Sequence, residues 1–296
     1  MIEVKQIASK KMLKTISMFM LIRKLSKKTL FWFTSRKPQV FVLPKRKMYR
    51  KNQIEVAEFK GLKTVTFKAK SPSNTHIIYL HGGAYRLKGK QNHYEFISDL
   101  NQKLRGTISL IDYPTNEESK MANTVSKTKE AIKAIMIQYP KQSFYLVGDS
   151  AGGGLALVIY KLLQQEDKQI IKLFLMSPWV DATMSNPLID QLEEHEFMFT
   201  KEELLLEAIQ YAGEAELNHL HLSPLYDDGF DLENIIIYAG NRDLLFPDIR
   251  KFAEINPKIT LYEYALLPHV FPLFPKGVER KEVIQDIVQK IKRNVL

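Results

Sequence analysis

The sequence predicts an α/β fold: a mostly parallel central sheet with helices on both faces. Three observations carry that expectation. Apolar runs of strand length alternate with helical patterns, HGGAY at 81–85 follows one such run, and GDSAGG at 148–153 joins another directly to a helix. Strands linked through helices need crossover connections, and crossovers leave neighbouring strands parallel.

Residues 4–25 read as an amphipathic helix. Ala8, Met12, Ile16 and Met20 recur every four positions, while Lys10, Lys11 and Lys14 fall off that line. Residues 54–70 alternate as a strand pair turning near Gly61, and Ser71-Pro72-Ser73-Asn74 makes a loop. Strands follow at 75–80 and 107–111, then a helix from about 124 to 139. The run 143–147 is a buried strand, 155–160 continues as an apolar helix, and 171–176 is again a strand. After an interruption the pattern resumes with strand 235–239, helix 247–255 and strand 259–264. A C-terminal helix places Val283, Ile284, Ile287, Val288 and Ile291 on one face, a stripe that is core packing.

The chain of 296 residues suffices for one large domain. Residues 1–50 read as a helical arm, and 51–296 as the α/β domain with an insertion at about 181–224. Thr200 and Glu203 stand in capping-box register inside that insertion. An insertion after a strand of such a sheet lies beside its C-terminal edge, so insertion and arm are expected to roof the active site.

The net charge of +10 points superficially to nucleic acid, but its distribution does not. Residues 1–51 hold 15 Lys or Arg against one acidic residue, Glu3, whereas residues 52–296 hold 28 basic and 32 acidic residues. The body is mildly acidic, so no nucleic-acid partner is expected, and the excess positive charge is local to the arm. The arm's apolar centre, Ile16 to Ile22, is too short to span a membrane and is closed off by Arg23, Lys24, Lys27 and Lys28. No small-residue cleavage site follows, which disfavours a secretory signal and favours a cytoplasmic location. The favoured role of the arm is a cap over the site; a sharper alternative adds contact of its basic face with anionic membrane at the inner surface. The absence of cysteine excludes disulfides, thiolate catalysis and cysteine-ligated metals, and leaves the redox compartment open.

GDSAGG fits a nucleophile elbow, where a strand turns sharply into a helix and exposes a strained serine. Gly148 and Gly152 suit such a turn because side chains there would collide across it. A serine hydroxyl at neutral pH needs an imidazole to take its proton and a carboxylate to orient that imidazole. In this topology the order is serine, acid, histidine. Among His195, His219, His221 and His269, the last follows a strand at the sheet's C-terminal edge, while the others lie in the insertion. Asp243 directly follows strand 235–239, and its rival Asp248 falls in a first helical turn, where a carboxylate favours the helix dipole. Ser150, Asp243 and His269 are therefore the expected catalytic residues. Backbone amides of Gly82, Gly83, Ala84 and Ala151 are the expected oxyanion donors. His81 is expected to brace that loop rather than act as a base, and Tyr85 to line the pocket or pack.

HGGAY at 81–85, IDY at 111–113, GDSAGGG at 148–154, MSPWVD at 176–181, AGNRD at 239–243 and PHVFP at 268–272 together resemble the hormone-sensitive-lipase-like branch of the α/β-hydrolases, which includes bacterial carboxylesterases. The resemblance implies the α/β-hydrolase fold, the same triad and oxyanion loop, and a helical cap built from the N-terminus and the insertion. Two positions depart from the family pattern. Ala84 stands where the family's HGGG has its third glycine, which matters if that position needs a positive φ. Pro114-Thr115-Asn116-Glu117-Glu118 replaces the usual Arg-Leu-Ala-Pro-Glu that supports the active-site loop. Trp179 is open between the acyl pocket and the core.

The implied function is a serine carboxylesterase acting on small to medium acyl esters, with a small-molecule ester as partner and no metal or cofactor. An amidase or peptidase with the same triad, and a catalytically silent membrane-surface protein, are the alternatives. Homo-oligomer formation is compatible with the sequence and not dictated by it.

Overall fold

The structure is a computed structural model that describes residues 1–5, 8–26, 28–35, 39–69, 71, 73–166, 170–227, 233–275 and 277–293. Gln6, Ile7, Lys27, Lys70 and Pro72 of the segments read above lie outside them. Among the described residues nine strands form one sheet: β1 (Ile2–Lys5), β2 (Ile54–Phe59), β3 (Leu62–Phe67), β4 (Thr75–Leu80), β5 (Thr107–Ile111), β6 (Ser143–Asp149), β7 (Lys172–Met176), β8 (Ile235–Gly240) and β9 (Thr260–Tyr264). Their order is β1-β9-β8-β7-β6-β4-β5-β3-β2. The pairs β2·β3 and β3·β5 are antiparallel and all others are parallel.

The helices are α1 (Lys10–Ser26), α2 (Leu30–Ser35), α3 (Arg46–Tyr49), α4 (Gln91–Leu104), α5 (Met121–Gln138), α6 (Ser150–Gln165), α7 (Leu188–Leu192), α8 (Lys201–Ala212), α9 (Phe246–Ile255) and α10 (Val278–Arg293). Successive strand residues point to opposite faces, so each central strand feeds two cores. Ile78, Leu80 and Leu146 join the core under α5, α6 and α9, while Ile77, Tyr79, Tyr145 and Val147 join the one under α4 and α10. Burial on both faces is why these strands read as unbroken apolar runs.

The N-terminal segment differs from the expectation. Helix α1 begins at Lys10, not residue 4, and Ile2–Lys5 is an edge strand running parallel to β9 in the register Ile2↔Leu261. The arm therefore begins inside the main sheet. Helix α4 was not among the expected elements, although Tyr94, Ile97, Leu100 and Leu104 keep a helical spacing on its buried side.

What positions the site is the handover from β6 to α6. Ser150 sits there in the left-handed region, at φ 52°. The turn is so tight that a Cβ on Gly148 would lie 2.6 Å from the Gly152 carbonyl oxygen. A Cβ on Gly152 would lie 2.3 Å from the Leu80 oxygen and 2.4 Å from that of His81. These contacts are to backbone, which cannot swing aside. We expect Gly152→Ala to lower the unfolding free energy by at least about 2 kcal/mol in denaturant titration. By contrast Gly61→Ala, with open space around the added carbon and only a φ of +81° against it, should cost about 1 kcal/mol. Equal losses for the two would contradict the close approach at the elbow.

Candidate active site

Four parallel strands, β4, β6, β8 and β9, end on one edge of the sheet, and the loops that follow them carry the expected residues. Open α/β sheets bind ligands at this edge. Ser150 follows β6, Asp243 the turn after β8, and His269 the turn after β9. His269 Nε2 lies 2.9 Å from Ser150 Oγ, and its Nδ1 lies 2.9 Å from Asp243 Oδ2. An ionised carboxylate only accepts hydrogen bonds, so Nδ1 carries the proton and Nε2 offers its lone pair to the serine hydroxyl. The other Asp243 oxygen accepts the Leu245 amide at 2.9 Å, which fixes the carboxylate in its plane. Val270, at φ 44°, donates its amide to Ser177 Oγ at 3.1 Å and so holds the histidine turn against the sequence MSPW.

The imidazole is buried. Burial works to lower its pKa, but the charge and hydrogen bond of Asp243, with Glu196 and Asp149 adding their charge, outweigh burial and leave it above the ordinary value. The edge of the ring meets Phe199 at 4.7 Å between centroids. His195 and His219 are exposed, and His221 packs against His219 instead. Asp248 lies in the first turn of α9, accepts from Asn186 at 2.9 Å and is pushed by burial up to about 6, so it is a structural acid.

The loop at 82–84 packs against Asp149. The Gly82 amide hydrogen-bonds the Asp149 carboxylate, and a Cβ on Gly82 would lie 2.2 Å from Asp149 Oδ2. Gly82 is thus pinned against Asp149, with Gly83 and Ala84 following it in the loop. Ala151 is in the first turn of α6, where backbone N–H groups have no partner within the helix. Gly83 adopts φ 129° and Ala84 φ 53°, so the position that departs from the family pattern does carry a positive φ. Alanine holds it at a cost of about 1–2 kcal/mol relative to an ordinary conformation, and its amide is retained.

Several residues that sequence reasoning did not assign hold this loop. Buried Asp149 accepts from Tyr79 Oη at 2.8 Å and faces His93 Nε2 at 3.5 Å. Burial works to raise its pKa, yet His93, Tyr79 and Gly82 outweigh that and keep it ionised. His93 accepts the Lys90 amide at 2.9 Å, tying the start of α4 into the same chain. His81 stacks on Tyr113 with ring centroids 4.4 Å apart, and burial and His93 push it down to about 3. It is neutral, in keeping with a bracing role. The departing segment after Tyr113 also supports the loop: the Asn116 amide donates to the Tyr85 oxygen at 2.7 Å, and Glu118 accepts from Lys88 at 2.5 Å. Tyr85 stacks on Tyr211 at 3.7 Å, and Trp179 donates to the Asp181 oxygen at 2.9 Å; both pack rather than line the pocket.

A cavity of about 170 Å³ opens onto Ser150 and His269. Leu30, Phe31, Leu87, Met198, Phe199 and Leu204 make its walls mostly apolar. Those residues come from α2, the oxyanion loop and the insertion. The capping box at Thr200 and Glu203 is formed, and Glu203 also accepts from Thr29 Oγ1 at 2.7 Å and 2.8 Å, fastening the arm to the insertion.

Glu196 is the residue the sequence hid best. It lies in the insertion, where a carboxylate reads as surface, yet it is buried. Its oxygens accept the amides of Phe197 at 2.8 Å, Met198 at 2.7 Å and Leu244 at 3.3 Å. The carbonyls of Phe197 and Met198 in turn receive Leu30 and Phe31 of α2. One carboxylate therefore joins the insertion, the arm and the turn bearing Asp243. Burial and the charge of Asp243 push it up to about 7.

A sheet of this topology with a serine elbow at the end of a central strand is that of a hydrolase class, and comparison with known proteins bears on it directly. A family model described as the alpha/beta hydrolase fold matches residues 77–273. The chain belongs to the α/β-hydrolase family and is a hydrolase. It is similar to an esterase of Acinetobacter venetianus, at 25% identity over 80% of this chain and 81% of that one. An acetyl-hydrolase of Streptomyces hygroscopicus is 26% identical over 70% of this chain and 73% of its own. A hormone-sensitive lipase from a metagenome library superposes with a TM-score of 0.82 at 20% identity, covering 98% of this chain and 100% of that one.

The Glu196 junction generates a test. Glu196→Ala strands three amides and should lower the unfolding free energy by about 2–4 kcal/mol. Glu196→Gln keeps an acceptor but removes the charge that raises His269, so the imidazole pKa read by NMR should fall relative to the parent protein. An unchanged imidazole pKa in the glutamine variant would contradict the electrostatic link.

Proposed function

We propose that the chain is a serine carboxylesterase acting on small to medium acyl esters through an acyl-enzyme. Ser150 Oγ attacks the ester carbonyl carbon while its proton passes to His269 Nε2. The oxyanion that forms is held by the amides of Gly83, Ala84 and Ala151. Imidazolium then protonates the departing alkoxide, the alcohol leaves, and the acyl group remains on Ser150. Water, deprotonated by the same nitrogen, attacks the acyl carbon, and collapse of the second tetrahedral species returns the serine and releases the acid. Asp243 holds the ring through its hydrogen bond with Nδ1. The arm and the insertion act as the cap that keeps bulk water from the site.

The single observation that supports this reading is the relay of two 2.9 Å contacts ending on a strained serine that lines the cavity. Family membership and relatives named as esterase and acetyl-hydrolase support the ester class. The cavity supports the size: about 170 Å³ is close to the roughly 150 Å³ that accommodates benzene, enough for a short acyl chain.

On nitrophenyl esters of graded chain length, kcat/KM should peak among the short acyl groups, and Ser150→Ala should lose about 10⁴-fold or more. Equal turnover by the alanine variant would remove Ser150 as nucleophile. The base must be neutral to act, and its pKa is raised, so the rate should fall with acidification through a midpoint above the ordinary 6.5. A midpoint at or below 6.5 is the result that counts against this assignment.

A further inference from the structure

Helix α1 carries two apolar lines, and only one of them faces the protein. Ala8 just before the helix, then Met12 and Ile16, are buried, and Phe19 stacks on Phe197 at 5.2 Å between centroids. Arg23 donates to the Glu193 oxygen at 2.6 Å and the Ser9 amide to Glu279 at 2.6 Å, so the later half of the helix is fastened to the insertion and its start to α10. The opposite line consists of Met18, Leu21, Ile22 and Leu25, spaced i, i+3, i+4 and i+7, with 51%, 57%, 43% and 76% of their surface exposed. Lys10, Lys11 and Lys14 occupy the same outward face one to two turns earlier, and Lys24 flanks it at the end; all four are exposed.

We propose that this face is a docking surface for an anionic lipid bilayer. Four large apolar side chains in register on a rigid, already folded helix form the apolar stripe of an interfacial helix, and lysines around it supply attraction to acidic headgroups. Charge selects this occupant over a second copy of the chain, because a self-complementary contact here would set these lysines against one another. The wider arm has the same sign, with 15 basic residues and one acidic residue in positions 1–51. Among the described residues no helix is long and apolar enough to cross a membrane, so the helix lies along the surface. The segment that follows α1 contributes Leu30, Phe31 and Thr34 to the cavity wall, so docking sets the arm that shapes the site against lipid.

The test uses the full chain with sedimentable vesicles of phosphatidylcholine, with and without phosphatidylglycerol. The protein should bind the phosphatidylglycerol vesicles about tenfold or more tightly at low salt, and progressively less as salt rises. Leu21→Glu with Leu25→Glu should abolish most of that binding while leaving turnover of a soluble short ester unchanged, which separates docking from the esterase reading. Absence of binding, equal binding by the double variant, or a dimer in solution that the double variant dissociates would each overturn the proposal.

Discussion

The constraint on which the structure rests is that three side chains from distant parts of the chain meet in one hydrogen-bonded line, Asp243 to His269 to Ser150, with 2.9 Å at each step. Proton transfer tolerates little error in these distances, so the sheet must hold the ends of β6, β8 and β9 in register. Parallel pairing does this, since every strand contributing to the line ends on the same edge. The apolar cores on the two faces then keep that edge from shifting.

Placing a strained serine there has consequences for the charges nearby. Asp149 and Glu196 are both buried carboxylates without, among the described residues, a salt bridge to a lysine or arginine, and each is stabilised by hydrogen-bond donors instead. Asp149 collects Tyr79, His93 and Gly82 and so fixes the loop on one side of the serine. Glu196 collects three amides and fixes the acid turn on the other. Their negative charge also favours the imidazolium, so the groups that hold the shape of the site bias its electrostatics in the direction that base chemistry needs.

How legible this was in the sequence depends on the range of the interaction. The elbow could be read because part of its crowding is local: a side chain on Gly148 would meet the Gly152 carbonyl four residues on, whereas Gly152 is crowded by the distant carbonyls of Leu80 and His81. Asp243 and His269 could be placed because strand ends follow from apolar runs. Strand β1 was missed since four residues carry almost no periodicity and their partner, β9, lies at the other end of the chain. That the Gly82 amide faces Asp149 could not be read, because a motif says which residues are small, not where an N–H points. Glu196 was invisible because the Leu244 amide it accepts, and the α2 amides bonded to the carbonyls beside it, come from segments far apart in sequence. The outward line of α1 was obscured by its inward one, which fits the amphipathic reading on its own.

The most direct measurement of the central claim is a crystal structure of the protein after reaction with a small alkyl phosphonate ester, a stable mimic of the tetrahedral intermediate. The account predicts phosphorus bonded to Ser150 Oγ, the phosphoryl oxygen within hydrogen-bond distance of the Gly83, Ala84 and Ala151 amides, and the Gly82 amide still on Asp149. An adduct on another residue, or a phosphoryl oxygen turned away from those three amides, would contradict it.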